Sequence, residues 1–458
     1  MSRQFDPAAL SEFARYYGFH YDHIDPIALV EDVLFEMDRG LRGLSSSLPM
    51  IPAYIRPAPR TTPGKTVVAL DAGGTNLRAA LVKFDESGRA LILESRKAAM
   101  PGTGGPVSAD LFFDEIASAA GPLIEKAGDT VEGIGFCFSY PMEITKDTDG
   151  ILMAFSKEVD APEVIGKSIG SGLRAALCRR HVRVPDRVVL LNDTVATLLS
   201  GLSELPAHGG TRRGEDRYEV EAGPMVGVIL GTGFNAAYPE QRIPKIGFDS
   251  PGSPQIVVCE AGTFAHRYMG FLDREYDSTT KNPGTYTLEK AVAGAYLGPL
   301  TFHILCRAVR EGVLSFRGAE EFLSLPGLQT RDLNEFMHEP LSGKGLLAEL
   351  FGKDDRDGLA GFVYLASIVA ERGALLAAAL VAAAVEKTAA AYDSECDPFV
   401  PVRVAVEGTT FMIYKGMRSA LEAHLHVMLN RDKPRSYAIA PVEQASLLGA
   451  AVAALTNP

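Results

Sequence analysis

The chain has 458 residues, more than one hydrophobic core usually organises, so its length implies two domains. Hydrophobic residues make up 47% and charged residues 22%, an ordinary soluble composition, and the formal net charge of -12 excludes a general binder of nucleic acid or anionic membrane, which needs a basic surface. Five cysteines, Cys137, Cys178, Cys259, Cys306 and Cys396, form neither a Cys-x-x-Cys pair nor a cluster with histidine, and read as reduced thiols of a cytoplasmic protein.

The opening Met-Ser-Arg-Gln-Phe-Asp lacks the basic-then-apolar order of a secretory signal. Residues 1–50 read as helical, with Phe13, Tyr16, Tyr17 and Phe19 on one side and Pro26 interrupting. The proline-rich stretch from Ile51 to Pro59 disfavours helix and ladder alike and reads as a linker. Thr66 to Asp71 is apolar and β-branched, a buried strand, and Ala79 to Phe84 with Ala90 to Leu93 completes a three-strand meander. A helix over about 110–127 precedes the strand Gly133 to Phe138. A helical pattern returns at 162–181, ahead of the strand Val188 to Leu191 and a helix from Asp193 to about Glu204.

The hydrophilic stretch His208 to Arg217 reads as a loop or hairpin tip, and Met225 to Leu230 then repeats the earlier pattern of an apolar strand running into glycines. The C-terminal half is mainly helical, at about 285–312, 343–352 and 362–392, with one more strand, Val402 to Val406, and a helix after it. Its longest apolar run, Ala374 to Val385, falls far short of the roughly 20 residues of a membrane span and reads as the buried face of a long helix, so no membrane insertion is expected. Strand-helix alternation, with a meander near each glycine turn, predicts an α/β protein with mixed sheets in two related lobes.

Three strands end in related turns: Asp71-Ala-Gly73-Gly74-Thr75-Asn76, Gly231-Thr232-Gly233 and Glu407-Gly408-Thr409. Glycine lets the backbone come close to a ligand, successive amides converge on an anion, and each threonine adds a hydroxyl donor. Three such turns in one chain point to phosphate. The two commoner phosphate motifs fail on their letters. Gly166-Lys167-Ser168 has Ala161 where a Walker loop needs glycine, and Gly170-Ser-Gly172 lies inside a helical stretch instead of between strand and helix.

Polar residues gather at the same strand ends: Ser139, Ser156 and Lys157, Asn192 and Asp193, Asn235, Glu260, and Glu289 near a helix start. Ligands of open α/β sheets collect outside the carboxyl ends of strands, and this mixture of amide, hydroxyl and carboxylate suits a compound with many hydroxyls. Asp193 is the most telling. A carboxylate between a buried strand and an apolar helix is costly unless it is paired or used.

In order and spacing these motifs resemble the hexokinase family. The resemblance is carried by Asp71 to Arg78, Phe138-Ser-Tyr-Pro141, Gly150 to Lys157, Leu191 to Thr197, Gly231 to Asn235, Glu260-Ala-Gly, Asp273-Arg-Glu-Tyr-Asp277 and Asn282-Pro-Gly284 through Glu289. It implies a two-lobed, actin-like (ribonuclease H-like) ATPase fold, each lobe a mixed β-sheet flanked by helices, with the active site in the interlobe cleft. The small lobe is expected over 61–192 with the C-terminal helix 441–458, and the large lobe over 193–440 with the helical segment 1–60.

The implied reaction moves the γ-phosphoryl group of ATP, with Mg²⁺, to the 6-hydroxyl of a hexose, glucose being the expected one. Asp193 corresponds to the general base, with Arg78 and Lys157 beside it in catalysis. Ser139, Ser156, Lys157, Asn192, Asp193, Asn235, Glu260 and Glu289 match sugar-contacting positions. Asp71, Gly73, Gly74, Thr75, Asn76, Gly231, Thr232, Gly233, Gly408 and Thr409 match the nucleotide and phosphate side. No direct protein ligand is expected for Mg²⁺, which is carried by ATP with Asp71 and Asp193 nearby through water. A non-catalytic sugar sensor on the same scaffold is expected to have lost the base or a phosphate glycine, and this chain keeps both.

Elementary chemistry agrees with that reading. A primary alcohol holds its proton far above neutral pH, so a positioned carboxylate is worth about 10² to 10⁴ in rate. Water competes with the sugar as acceptor, so lobe closure is expected, with hinges near 59–65, 192 and 440. Four departures from the family pattern stand out. Tyr140 replaces a phenylalanine, Ser156 a threonine and Tyr286 a glutamine, and Val442 to Gly449 replaces a glycine-rich adenosine turn.

Overall fold

The computed structural model describes residues 5–57, 61–155, 159–203, 224–342, 345–351, 354–392, 401–430 and 435–457. The expected loop over 208–217 lies outside them. Two sheets repeat one design. In the smaller, five strands run in the order Ala90–Ala99, Asn76–Phe84, Thr66–Gly73, Val131–Phe138, Arg187–Leu191. The first three form an antiparallel meander and the last two are added in parallel. The larger sheet runs Gln255–Val258, Phe234–Glu240, Met225–Leu230, Val402–Glu407, Tyr437–Pro441, again an antiparallel meander followed by two parallel strands.

The parallel additions need crossovers, which helices such as Ala109–Ala127 and Ile169–Arg179 supply. The central strands are buried along nearly their whole length because both faces of each sheet are covered, which is why they read as continuous apolar runs. Helices Asp193–Ser203 and Ala445–Thr456 lie between the sheets. Val195, Leu198, Leu447 and Ala450 share a buried cluster with Val67 and Ala69 of one sheet and with Met225 and Ile256 of the other. The two helices touch backbone to backbone: a Cβ on Gly449 would sit 1.9 Å from the Ala196 carbonyl oxygen.

The N-terminal segment differs in detail from its sequence reading. Pro26 starts a second helix, Pro26–Leu41, as its first residue, and Asp25 caps it by accepting from Ile27 and Ala28 amides. The first helix, Pro7–Tyr16, ends as the chain turns at Gly18 (φ 75°), which carries Tyr17 and Phe19 inward and leaves Tyr16 81% exposed. Both helices join the core of the larger sheet. The stretch read as a linker opens as a strand, Ile51–Pro52 pairing antiparallel with Val258 and Val257. Proline is tolerated there because an edge strand needs ladder bonds on one side only.

Farther along, the pattern at 285–312 divides into helices Thr287–Val292 and Leu297–Arg310, the described residues of 343–352 contribute the 3-10 turn Ala348–Leu350, and 162–181 begins as a separate 3-10 turn, Pro162–Val164. Helix Arg356–Tyr392 is long and apolar enough to cross a membrane, yet 94% of its most apolar window is buried within the protein. The chain passes from the larger sheet toward the smaller after Ala53, returns at Asn192 and crosses again after Pro441. The first crossing is tied to the C-terminal helix, where Asn457 Oδ1 accepts from the Arg56 amide at 2.9 Å.

Candidate active site

The strand Arg187–Leu191 is apolar to its last residue, and the chain then turns into the helix Asp193–Ser203. Asn192 Oδ1 and Asp193 Oδ1 each accept from the Thr194 amide at 2.7 Å, and the Thr194 hydroxyl adds a 3.2 Å bond to Asp193. An acidic residue is favoured at a helix N-terminus, so the local sequence both starts the helix and aims a carboxylate out of the strand end. Asp193 is half-buried at the wall of an interlobe cavity of about 740 Å³.

The described sugar-side candidates all line that cavity: Ser139 and Asn192 from the smaller lobe, Asp193, Asn235, Glu260 and Glu289 from the larger. Ser156 and Lys157 lie outside the described residues. Asn235 links its neighbours, donating to Glu260 Oε1 at 3.1 Å while its own oxygen accepts from the Ala236 amide at 2.8 Å and the Ala261 amide at 3.1 Å. Glu289 Oε2 accepts from the Phe234 amide at 3.2 Å. Glu260 and Tyr286, both against the cavity, hold left-handed backbone at φ 54°, a strain that persists only where surrounding structure imposes it.

On the phosphate side, Thr232 and Gly233 line the cavity, while Asp71, Gly73, Gly74, Thr75, Asn76, Gly231, Gly408 and Thr409 are not among its lining residues. The first turn, Gly74-Thr75, closes the hairpin in which Gly73 pairs with Asn76. The Tyr140 hydroxyl donates to the Gly74 carbonyl at 2.7 Å, tying the end of the Val131–Phe138 strand to that turn. Thr75 is exposed and accepts from Asn76 Nδ2 at 3.4 Å. The second and third turns sit on each other. Gly408 has φ 129° and a Cβ there would lie 2.3 Å from the Leu230 carbonyl oxygen, and Thr410 donates to the Gly231 carbonyl at 2.7 Å. Thr409 opens the helix that follows.

Carboxylates accumulate around this cleft. Burial raises Asp71 to about 6, against the pull of Arg78, which stands opposite it in the hairpin, and with a smaller push from Asp193. Burial likewise raises Glu260, Glu289 and Glu407, with Asp193 adding to the rise of Glu260 and Glu407. Glu407 enters the sequence reading only as the first residue of the third glycine turn, with no role of its own. It ends the strand Val402–Glu407, is half-buried, feels both Asp71 and Asp193, and accepts from the Thr197 hydroxyl at 3.5 Å. Its signal was the strand-end position already used for Asp193. Nothing local could have signalled the Tyr140 bond, which joins two segments far apart in sequence.

So much negative charge in a half-buried cleft favours a ligand bearing a cation. Among the described residues no group of three or more Asp, Glu, His or Cys side chains stands close enough to cage a metal. The sugar-side wall offers hydroxyl, amide and carboxylate groups to a compound with many hydroxyls.

Hexokinase family profiles match residues 11–202 and 225–456. The chain is 30% identical to hexokinase-1 from Oryza sativa subsp. japonica, across 92% of this chain and 86% of that protein. It is 29% identical to hexokinase-3 from Homo sapiens across 90% of this chain, spanning 44% of that longer protein. A solved structure, the hexokinase from Schistosoma mansoni complexed with glucose, superposes with a TM-score of 0.72 at 24% identity, covering 98% of this chain and 99% of that one. Profiles across both lobes, relatives along nearly the whole chain and a shared fold agree: the chain belongs to the hexokinase family, with its two-lobed, actin-like sugar-kinase fold.

Proposed function

We propose that the chain transfers the γ-phosphoryl group of ATP to the 6-hydroxyl of a hexose, glucose foremost, with Asp193 as general base. One observation carries the reading: Asp193 lies in a single cleft wall with Ser139, Asn192, Asn235, Glu260 and Glu289. The sugar is held by these polar groups with its terminal alcohol toward Asp193. As the alcohol oxygen attacks the γ-phosphorus, its proton passes to the Asp193 carboxylate and the bond to the ADP oxygen breaks. Asp193 contributes about 10² to 10⁴ of the rate, and alignment of acceptor and donor supplies much of the rest.

The triphosphate is received by the turns Gly73 to Asn76, Gly231 to Gly233 and Gly408-Thr409, with Arg78 and Lys157 beside the transferred group. The mutual repulsion of the half-buried Asp71, Asp193 and Glu407 fits a Mg²⁺ ion arriving with the nucleotide, with Asp71 and Asp193 near it through water. That ion supplies charge neutralisation on the phosphates. Residues 61–192 with the C-terminal helix, and 193–440 with the N-terminal helices, act as the closing lobes, their crossings after Ala53, at Asn192 and after Pro441 serving as hinges. Free thiols at Cys137, Cys178, Cys259 and Cys306 support a reducing, cytoplasmic setting.

The test is a coupled assay over glucose, mannose, fructose, glucosamine and N-acetylglucosamine, with ATP, GTP and polyphosphate as donors. Glucose with ATP is expected to turn over best. Sugar binding by calorimetry without phosphorylation from any donor would replace this reading with that of a sugar sensor.

A further inference from the structure

Neighbouring positions of an α-helix diverge by about 100°, so the short helix Thr287–Val292 directs Glu289 to the cleft and Lys290 into the interior. Lys290 is only 5% exposed, and an ammonium so buried requires partners. It has two. Its Nζ donates to Asp277 Oδ1 and, at 2.7 Å, to the carbonyl oxygen of Asn282. The other Asp277 oxygen accepts from the Gly284 amide at 2.7 Å. One ion pair therefore straps the turn 282–286, which ends in the left-handed Tyr286, to the helix Phe271–Ser278.

That helix is itself anchored. One turn back on the same face, Asp273 makes two 2.6 Å bonds to the fully buried guanidinium of Arg372, on the long core helix. The six residues of Thr287–Val292 are too few to hold a helix unaided, so its position depends on what it is tied to.

We propose that Asp277 and Lys290 are positioning residues of the sugar site: their buried pair holds the turn 282–286 and the helix after it so that Glu289 and Tyr286 face the hexose, while touching no substrate themselves. The proposal rests on the hexose reading of the cleft given above.

Steady-state kinetics of the full chain test it, with hexose and ATP varied separately in Lys290→Met, Lys290→Arg and the charge-free double variant Asp277→Asn/Lys290→Met. Lys290→Met is expected to raise the hexose KM at least tenfold, with ATP KM and kcat each within threefold of wild type. Lys290→Arg, which keeps the cation, is expected to recover most of that loss. The double variant leaves no unpaired buried charge, so it keeps the test alive where Lys290→Met fails to fold, and the same hexose defect is expected of it. An unchanged hexose KM in the folded variants, or equal rises in both KM values, overturns the proposal. A wild-type chain that phosphorylates no hexose refutes the function itself, whereas an active wild type with unaffected variants refutes the positioning alone.

Discussion

Replacing Asp193 by asparagine isolates its chemistry from its structural role. Asparagine keeps nearly the same shape and an oxygen to accept from the Thr194 amide, now bonded at 2.7 Å, so the start of the helix Asp193–Ser203 keeps a cap whose outright loss would cost about 1 kcal/mol. What disappears is the proposed proton acceptor. A general base is worth about 10² to 10⁴, so kcat should fall by that factor, or about 2.7 to 5.4 kcal/mol at 1.36 per tenfold. Hexose affinity should change less than about tenfold, because Ser139, Asn192, Asn235, Glu260 and Glu289 remain and one bond to a charged group becomes neutral. Removing the charge also relieves three neighbours. Asp71, now near 6, Glu260 and Glu407 should each titrate lower, since Asp193 pushes all of them up. The readouts are ADP release in a coupled assay, calorimetric hexose binding and carboxyl NMR titration. A kcat within tenfold of wild type, or loss of sugar binding in an otherwise folded variant, would refute the assignment.

Asp71 sets a pH limb: burial and Asp193 hold it near 6, and the ionised form is the one that suits a cation-bearing nucleotide, so kcat/KM for ATP should rise through about pH 6 and the limb should vanish in Asp71→Asn. Because its folded value lies above the ordinary carboxylate range, the stability that protonated Asp71 contributes is present at pH 4 and lost as pH rises through about 6. Asp71→Asn should accordingly gain in urea midpoint over wild type at pH 7.5 and not at pH 4, and an equal gain at both would contradict the shift. Tyr140→Phe removes the bond to the Gly74 carbonyl, worth about 1 kcal/mol, and should raise the ATP KM severalfold with the hexose KM nearly unchanged. Equal values for wild type and variant would leave that hydroxyl without influence on the phosphate turn.

Much of this molecule was readable from local patterns. Thr66–Gly73 and Met225–Leu230 announced themselves as apolar, β-branched runs ending in glycine, because burial on both faces and the turn that follows are written into consecutive residues. The misreadings share a cause. The stretch at Ile51 looked like a linker until the edge of Gln255–Val258 offered it a partner, and Tyr16 stood with Phe13, Tyr17 and Phe19 on one side until the chain turned at Gly18 and left it exposed. Pairing and burial are decided by what arrives from elsewhere in the chain.

The sequence by itself determined the α/β character, the doubled strand-into-glycine design and the set of polar strand ends around Asp193, since helix period, strand alternation and turn chemistry act over a few residues. Only the tertiary structure decided that Glu407 stands within the field of Asp71 and Asp193, that Tyr140 reaches Gly74, and that Lys290 turns from the cleft to meet Asp277. Coulomb and hydrogen-bond energies depend on separation through space, and folding brings these partners together from positions with no pattern in common.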